Sequence, residues 1–411
     1  EKEREKEREK WSRLGNGENA RFTFVFEGVV MGNNQPKCIE LGPDVYEIHR
    51  TMGQGAFGRV MCVINKSNGH MLAMKVLSKE KMAEQSSNCI KAMIAERKIL
   101  SEVDSPYVIN LHCAVQSELD CYMLLDFASG GDLYYHIRTK KKFSKGVIRF
   151  WMTGVLLGLN YLHSNGIVHR DIKPDNVMLN QNGFPLLTDF NVATRLDANG
   201  RCSGLCGTDA YIAPEMYKKN SSYGPEVDVW SFGVMMFECF RRQTPWGPRG
   251  EKSTKTWMGH KTTCVTMPEG ESVKKTIKTK EITYDGKYFP EKVAEVLQKI
   301  LVVDVKRSTA AGLLEDPWFI EGSEYSKTTP PFVPEMKPNV DQTLAMEDNF
   351  KTKERRTKVT DEDQKLFADW DYIPERYRVP VDSSKKKKKK KRTDRLIATS
   401  NTANYSSGDD R

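Results

Sequence analysis

No run of eighteen apolar residues occurs anywhere in the chain, so no segment reads as a membrane-spanning helix. A secretory leader is missing as well: residues 1–10 are wholly charged, and 21–31 is too short an apolar stretch and has no cleavage site. Paired cysteine spacing is also absent. The nine cysteines are scattered and odd in number, the pattern of free thiols in a reducing compartment. Cys202 and Cys206 form the one close pair, read as two ordinary thiols with a redox pair as the alternative. The seven histidines show no metal-ligand spacing. These absences point to an intracellular protein, cytoplasmic or nuclear, that is not secreted. What is present is 411 residues with 38% hydrophobic and 29% charged content, enough for two to three domain-sized units around a substantial core. Net charge is +9. A good part of that excess sits in Lys385–Arg392, so the total says little about the folded body.

Residues 1–44 form a charged, low-complexity extension that opens on repeated Glu-Lys-Glu-Arg units, either a solvated helix or disordered. Met31-Gly32-Asn33-Asn34 reads as an alternative start that would expose Gly32 for myristoylation, although Pro36 stands where that motif wants Ser or Thr. From Val45, short apolar alternations predict antiparallel strands at 45–51, 60–65 and 71–77, with a turn at Ser67-Asn68-Gly69. Ile90, Met93, Ile94, Arg97 and Leu100 predict a helix over 88–102, and two further strands follow at 108–115 and 121–127. After Gly130-Gly131 helical periodicity dominates, at 147–163, 227–240 and 291–301. The expected fold class is therefore α+β and bilobal. A small antiparallel-sheet lobe with one main helix spans 45–127, a larger helical lobe spans 128–320, and ligands favour the cleft between them. Lys-, Thr- and Gly-rich residues 247–280 read as a flexible surface insertion. A tail over 321–380 contains the proline-stiffened segment Thr328–Pro334, and 381–411 is a basic, solvated end.

Three polar side chains organise the candidate site. In His169-Arg170-Asp171-Ile172-Lys173-Pro174-Asp175-Asn176 a carboxylate stands five residues before a carboxamide. A second carboxylate, Asp189, follows Val177–Leu179 and the turn Asn180-Gln181-Asn182-Gly183. If 177–179 and 186–188 are paired short strands, Asp171, Asn176 and Asp189 share one cleft. Phosphoryl transfer from ATP asks for such a set: an acceptor for the substrate hydroxyl's proton and oxygen ligands for Mg²⁺, a hard cation. The second motif, Gly53-Gln54-Gly55-Ala56-Phe57-Gly58-Arg59-Val60, lies between two strands. Missing side chains there let backbone amides approach a triphosphate, with Phe57 capping the turn. A dinucleotide fold would instead place a helix after it. Lys75 lies in an otherwise apolar strand, where a buried ammonium needs a partner, and Glu96 on the next helix is the candidate.

The order and spacing of these motifs resemble eukaryotic protein kinases over about 270 residues. The resemblance implies Asp171, Lys173, Lys75 and Glu96 as catalytic residues. Asp171 would position the substrate hydroxyl and accept its proton, Lys173 would neutralise the transferring phosphoryl group, and Lys75 would hold the α- and β-phosphates. It also implies Asn176 and Asp189 as Mg²⁺ ligands. The implied ATP site is lined by Met52, Gly53, Gln54, Gly55, Ala56, Phe57, Gly58, Arg59, Val60, Ala73, Lys75, Asp126, Asp132 and Met178. Gly207–Glu215 resembles the end of a kinase activation segment, with Arg307 as the ion-pair partner of Glu215. Asp228 reads either as a brace for the catalytic-loop backbone or as a simple helix N-terminal carboxylate. Lys173 is similar to Ser/Thr rather than tyrosine kinases. Thr329–Pro334 looks like the C-terminal tail of the AGC group, and Phe367-Ala368-Asp369-Trp370-Asp371-Tyr372 resembles its hydrophobic motif. Asp371 there takes the place of a phosphorylatable residue; a short disordered aromatic patch is the alternative. Asp189-Phe190-Asn191, Asp341–Leu344 and the lysine-rich tail resemble the YANK (serine/threonine kinase 32-like) subfamily.

Two departures bear on regulation. Asn191 replaces a Gly and reaches positive φ less freely, which would restrict a flip of the metal loop. Gly204 stands where AGC kinases carry an activating phosphothreonine, and Ser203 is one residue out of register. The expectation is a monomeric, Mg-ATP-dependent Ser/Thr protein kinase that acts on protein substrates without activation-loop phosphorylation. A nucleotide-binding pseudokinase scaffold is the alternative; it calls for a missing phosphoryl-transfer residue, and all are present. Lys385–Arg392 suggests weak membrane or importin contact, and without interleaved aromatics it suggests no stable nucleic-acid complex. Asp132, Asp175 and Glu238 stand where basophilic relatives receive substrate arginines, whereas Lys218 and Lys219 would favour acidic targets.

Overall fold

The alternating strands of the first half assemble into one five-stranded antiparallel sheet in the order β1-β2-β3-β5-β4, comprising β1 (Tyr46–Gln54), β2 (Gly58–Asn65), β3 (Met71–Ser78), β4 (Leu111–Gln116) and β5 (Asp120–Asp126). The computed structural model describes residues 45–140, 142–247, 252–257, 260–265, 277, 281–303, 307–321, 325, 329–334 and 359–374. The expectations for residues 1–44, including Met31 and Gly32, for Asp341–Leu344 and for Lys385–Arg392 lie outside the described residues.

Period-2 alternation gives the sheet two apolar faces. Met61, Val63, Met74, Val76, Tyr122 and Leu124 share one cluster, while Leu77, Cys121 and Met123 join the main core on the other side. Onto that second face packs α2 (Ser87–Leu100), which buries Ile90, Met93, Ile99 and Leu100. A short α1 (Lys79–Gln85) precedes it. The sequence reading passed over α1, although its N-cap Ser78 accepts from Lys81 N at 3.3 Å. The strand expected from Val108 begins at Leu111, because Asn110 bonds the Ser105 and Val108 carbonyls with its side chain and holds 105–110 in a turn.

The large lobe is helical. Its elements are α3 (Leu133–Thr139), α4 (Lys145–Ser164), α5 (Glu226–Arg241), α6 (Glu291–Ile300), α7 (Ala310–Leu314) and α8 (Pro317–Ile320). Between α4 and α5 run short strands: β6 (Ile167–Val168), β7 (Val177–Leu179), β8 (Pro185–Leu187), β9 (Thr194–Arg195), β10 (Cys202–Ser203) and β11 (Ser222–Tyr223). As expected, β7 and β8 pair antiparallel, closed by a turn in which Gly183 takes φ 93°. Within the insertion the structure differs from expectation: β12 (Lys252–Trp257) and β13 (His260–Val265) form a regular antiparallel hairpin, its Thr-rich strands suiting a ladder. Among the described residues no helix is long and apolar enough to cross a membrane.

The tail returns to the small lobe. A turn of helix, α9 (Asp361–Leu366), leads to Phe367 and Trp370, both 0% exposed. Trp370 Nε1 donates to the Val115 carbonyl at 3.0 Å, and Tyr372 exchanges two backbone hydrogen bonds with Ala114, of 2.8 and 2.9 Å. The aromatics therefore dock beside β4 and α2, and the disordered-patch alternative falls. Earlier in the tail, Phe332 meets the rings of His136, Phe143 and Trp151 edge-on at 5.2–5.5 Å between centroids.

Candidate active site

The catalytic-loop residues are fixed by hydrogen bonds from three directions. Asp228, fully buried in the first turn of α5, accepts from the backbone N–H of His169 (2.8 Å) and of Arg170 (2.7 Å), and its Oδ2 lies 2.9 Å from His163 Nε2. Asp228 therefore braces the loop backbone from the first turn of α5. Burial alone would raise its carboxyl, but the hydrogen bond and charge of His163 outweigh it and hold the group ionised.

Asp171 sits at the focus. Lys173 Nζ donates to its Oδ2 at 2.6 Å, and Thr208 donates to its Oδ1 through both N–H (2.9 Å) and hydroxyl (2.8 Å). Asn176 Nδ2 adds bonds of 2.9 Å to the Asp171 carbonyl and to Oδ2. Burial pushes the Asp171 carboxyl up, but the charge and hydrogen bond of Lys173, with the bond from Thr208, hold it below the usual carboxylate range. Because Nδ2 of Asn176 is committed to Asp171, its Oδ1 remains as a hard oxygen donor.

Asp189 follows the buried segment Leu186–Leu187 and has φ 66°, a left-handed conformation that Asp tolerates better than most residues. Phe190 is buried against His169, with ring centroids 5.0 Å apart. Positive φ in this loop therefore falls on Asp189, and Asn191 is not among the positive-φ residues. The Asn191 side chain faces the small lobe, with Lys75 Nζ 3.5 Å from its Oδ1.

In the small lobe Lys75, paired in register with Val60 and Met123, bonds both carboxylate oxygens of Glu96 at 2.8 and 3.0 Å. Glu96 is 3% exposed, and burial raises its pKa against the pull of Lys75. Gly53, Gln54 and Arg59 lie on the β1–β2 ladder, and Gly55 N–H donates to the Gly58 carbonyl at 2.8 Å to close the tip around Ala56 and Phe57. Gly58 also has a reason within the sheet itself. A Cβ there would lie 1.8 Å from the Val76 carbonyl oxygen, so glycine is required by the close approach of β2 and β3.

Met52 and Ala73 are buried in the sheet, and Asp132 and Met178 form an isolated antiparallel bridge that joins the start of α3 to β7. The Asp126 carboxylate points elsewhere: it accepts from Asn110 Nδ2 at 2.7 Å, and its Oδ1 lies 2.7 Å from His112 Nε2. Only its main chain is left for a nucleotide. Glu238 is also no open receptor for a substrate arginine. It is 0% exposed, accepts from the Tyr211 hydroxyl and lies 3.8 Å from Arg138.

These positions lie in a segment matched over residues 46–319 by the family described as protein kinase domain. The chain belongs to the protein kinase domain family. It is 32% identical over 303 residues to mouse serine/threonine-protein kinase 32C, covering 71% of this chain and 58% of that protein. It is 35% identical over 246 residues to a RAC family serine/threonine-protein kinase homolog of Dictyostelium discoideum, covering 59% of this chain and 53% of that one. With rat ribosomal protein S6 kinase alpha-1 it shares 37% identity over 218 residues, 52% of this chain and 29% of that protein. The chain thus spans little more than half the length of the first two relatives.

Within the kinase domain the ion pair expected of the activation segment is present: Arg307 bonds Glu215 through two nitrogens, Nη2 to Oε2 at 2.9 Å. Thr208 is the site residue that sequence reasoning missed. Its only local signal is Gly207, where a Cβ would lie 2.4 Å from the Arg170 carbonyl oxygen and so block the approach of Thr208 to Asp171. Cys202 and Cys206 are free thiols, both raised by burial, as ordinary thiols would be.

Proposed function

We propose that the kinase domain transfers the γ-phosphate of Mg-ATP to Ser or Thr hydroxyls of protein substrates. The observation that carries this reading is the Asp171 carboxylate held by Lys173, Thr208 and Asn176 in one cleft with the Lys75–Glu96 pair. The donor set suits magnesium, which takes one or two carboxylates plus phosphates and water. Asp189 and Asn176 Oδ1 would hold it. Bound Mg-ATP would supply the phosphoryl group and neutralise its charge.

The chain's own residues do the rest. Asp171, kept ionised, accepts a hydrogen bond from the incoming hydroxyl and points its lone pair at phosphorus. With its carboxyl held low, it is a weak base in the ground state, so orientation comes first and the proton arrives late in the reaction. Lys173, between Asp171 and Thr208, carries positive charge where negative charge develops. Lys75, fixed by Glu96, anchors the phosphates of the nucleotide. Serine and threonine rather than tyrosine are the expected acceptors, because Lys173 in the catalytic loop is the feature that resembles Ser/Thr kinases.

Activity of this kind would not need a phosphate on the activation segment. Gly204 has no hydroxyl, and the Thr208 hydroxyl is committed to Asp171. In the tail Asp371 lies among Gln116, Lys79 and Arg97, a carboxyl where a phosphate would otherwise sit; burial raises it, and these three pull it back. A positional-scanning peptide assay with purified protein and phosphoamino-acid analysis tests the reading. Mg-ATP-dependent phosphoserine or phosphothreonine is expected, undiminished by prior phosphatase treatment, and no incorporation would sink it.

A further inference from the structure

We propose that Tyr223 is a positioning residue for Asp171, its neutral hydroxyl holding Arg170 in the way a phosphate on the activation segment otherwise would. The inference rests on the kinase reading above and names a residue outside all of the motifs.

Arg170 directly precedes Asp171, so its placement sets that of the carboxylate. Its backbone lies at φ 66°, a left-handed conformation that a long side chain adopts only when its surroundings hold it there. Asp228 holds the N–H, and the guanidinium has three partners. Nε donates to the Val192 carbonyl at 2.7 Å, and Nη1 donates to the Ser203 carbonyl at 2.9 Å and to the Tyr223 phenol oxygen at 3.3 Å. The phenol then donates to the Gly204 carbonyl. A relay therefore runs from guanidinium to phenol to carbonyl, tying the metal loop, the activation segment and β11 to the residue before Asp171.

Three features make this relay permanent rather than switched. Tyr223 is 0% exposed, and its backbone pairs in register with Cys202, so the phenol cannot swing away. Gly204, at φ 99°, turns its carbonyl toward the phenol in a conformation that a side chain would strain. Ser203 contributes its carbonyl, not its exposed hydroxyl. Burial pushes the phenol up to about 12, so it remains a donor at any physiological pH. A phosphate would offer the guanidinium charged acceptors; here two carbonyls and a phenol oxygen hold its Nε and Nη1 in place.

The test uses the full chain and peptide substrate. Tyr223→Phe removes one oxygen and is expected to lower kcat about tenfold, the scale of one hydrogen bond to a charged group. KM for ATP, the Kd for Mg-ATP and Tm should stay near wild type. In an Arg170→Gln background the same change should cost nothing further, since its effect passes through Arg170. Wild-type kcat in Tyr223→Phe, or an additive loss in the Arg170→Gln background, overturns the inference. If Tyr223→Phe does not accumulate folded, Gly204→Ala strains the carbonyl end of the relay and should lower kcat with Mg-ATP binding kept; wild-type kcat there overturns it equally. A wild-type protein that binds Mg-ATP but phosphorylates nothing defeats the kinase reading itself, and this inference with it.

Discussion

The two lobes fix their halves of the site by different physical means. In the large lobe, Asp171, Asn176 and the loop around them are held by a web of hydrogen-bonded polar groups, the buried Asp228 and the half-buried His163, Lys173 and Thr208. In the small lobe, the Lys75–Glu96 pair depends on where α2 lies, and α2 is packed from outside by an apolar clamp, Phe367 and Trp370, that arrives from far along the chain. Arg97, the residue after Glu96, faces Asp369, Asp371 and Tyr372 of that clamp. The difference teaches that the two halves should fail differently. A polar web answers to proton binding and to loss of a single partner, whereas a packed clamp answers to lost apolar volume.

The largest effect expected from breaking either half is Lys75→Ala, which removes the phosphate anchor and leaves Glu96 buried without its partner. Steady-state kinetics should show a loss of about 10²–10³-fold in kcat/KM, the scale of one preorganised electrostatic contact. Next is the clamp itself. Trp370→Ala should destabilise the small lobe by about 3–5 kcal/mol, measured as a urea-unfolding shift. It should raise KM for ATP, while the fluorescence change of large-lobe unfolding stays in place. If both lobes lose stability together, the clamp is not local and the comparison fails.

Proton binding sharpens the contrast. Asp171 and Asp228 have depressed pKa values, so the stability they contribute is present above the ordinary carboxylate range, near 4, and is lost as pH falls below it. Glu238 has the opposite sign. Burial pushes it up to about 8, so its contribution is complete at low pH and is lost as pH rises from the ordinary value through about 8. Urea midpoints should therefore decline from pH 5 to 8 in the wild type and flatten in Glu238→Gln. An unchanged slope in that variant would remove Glu238 as the cause. The smallest expected effect is Asn191→Gly, which loses one long contact to Lys75 and should change KM for ATP about twofold or less.

Much of the site was legible because residue type and spacing carry the chemistry. The pairing of β7 with β8 set Thr188, the residue before Asp189, on the Asn176 carbonyl, and Glu96 was the one acid on the facing helix able to neutralise Lys75. The brace from Asp228 was legible only as one of two readings, because a carboxylate in a first helical turn serves either purpose. Other features were hidden for physical reasons. Thr208 and Tyr223 act on partners 37 and 53 residues away, through contacts that no local pattern encodes. At Gly58 the tight packing of β2 on β3 was hidden, since a close strand approach and a phosphate both ask for a missing Cβ. The Asp126 and Glu238 carboxylates looked available in sequence, and only the fold shows that Asn110, His112 and Tyr211 already engage them.

Asp171 decides the account. The purified chain and its Asp171→Asn variant, each first shown to bind Mg-ATP, should be compared for transfer of labelled γ-phosphate to a peptide library. The account predicts phosphoserine and phosphothreonine from the wild type and a rate lower by about 10²–10⁴-fold in the variant, with nucleotide affinity kept. Equal labelling by the two proteins would contradict it.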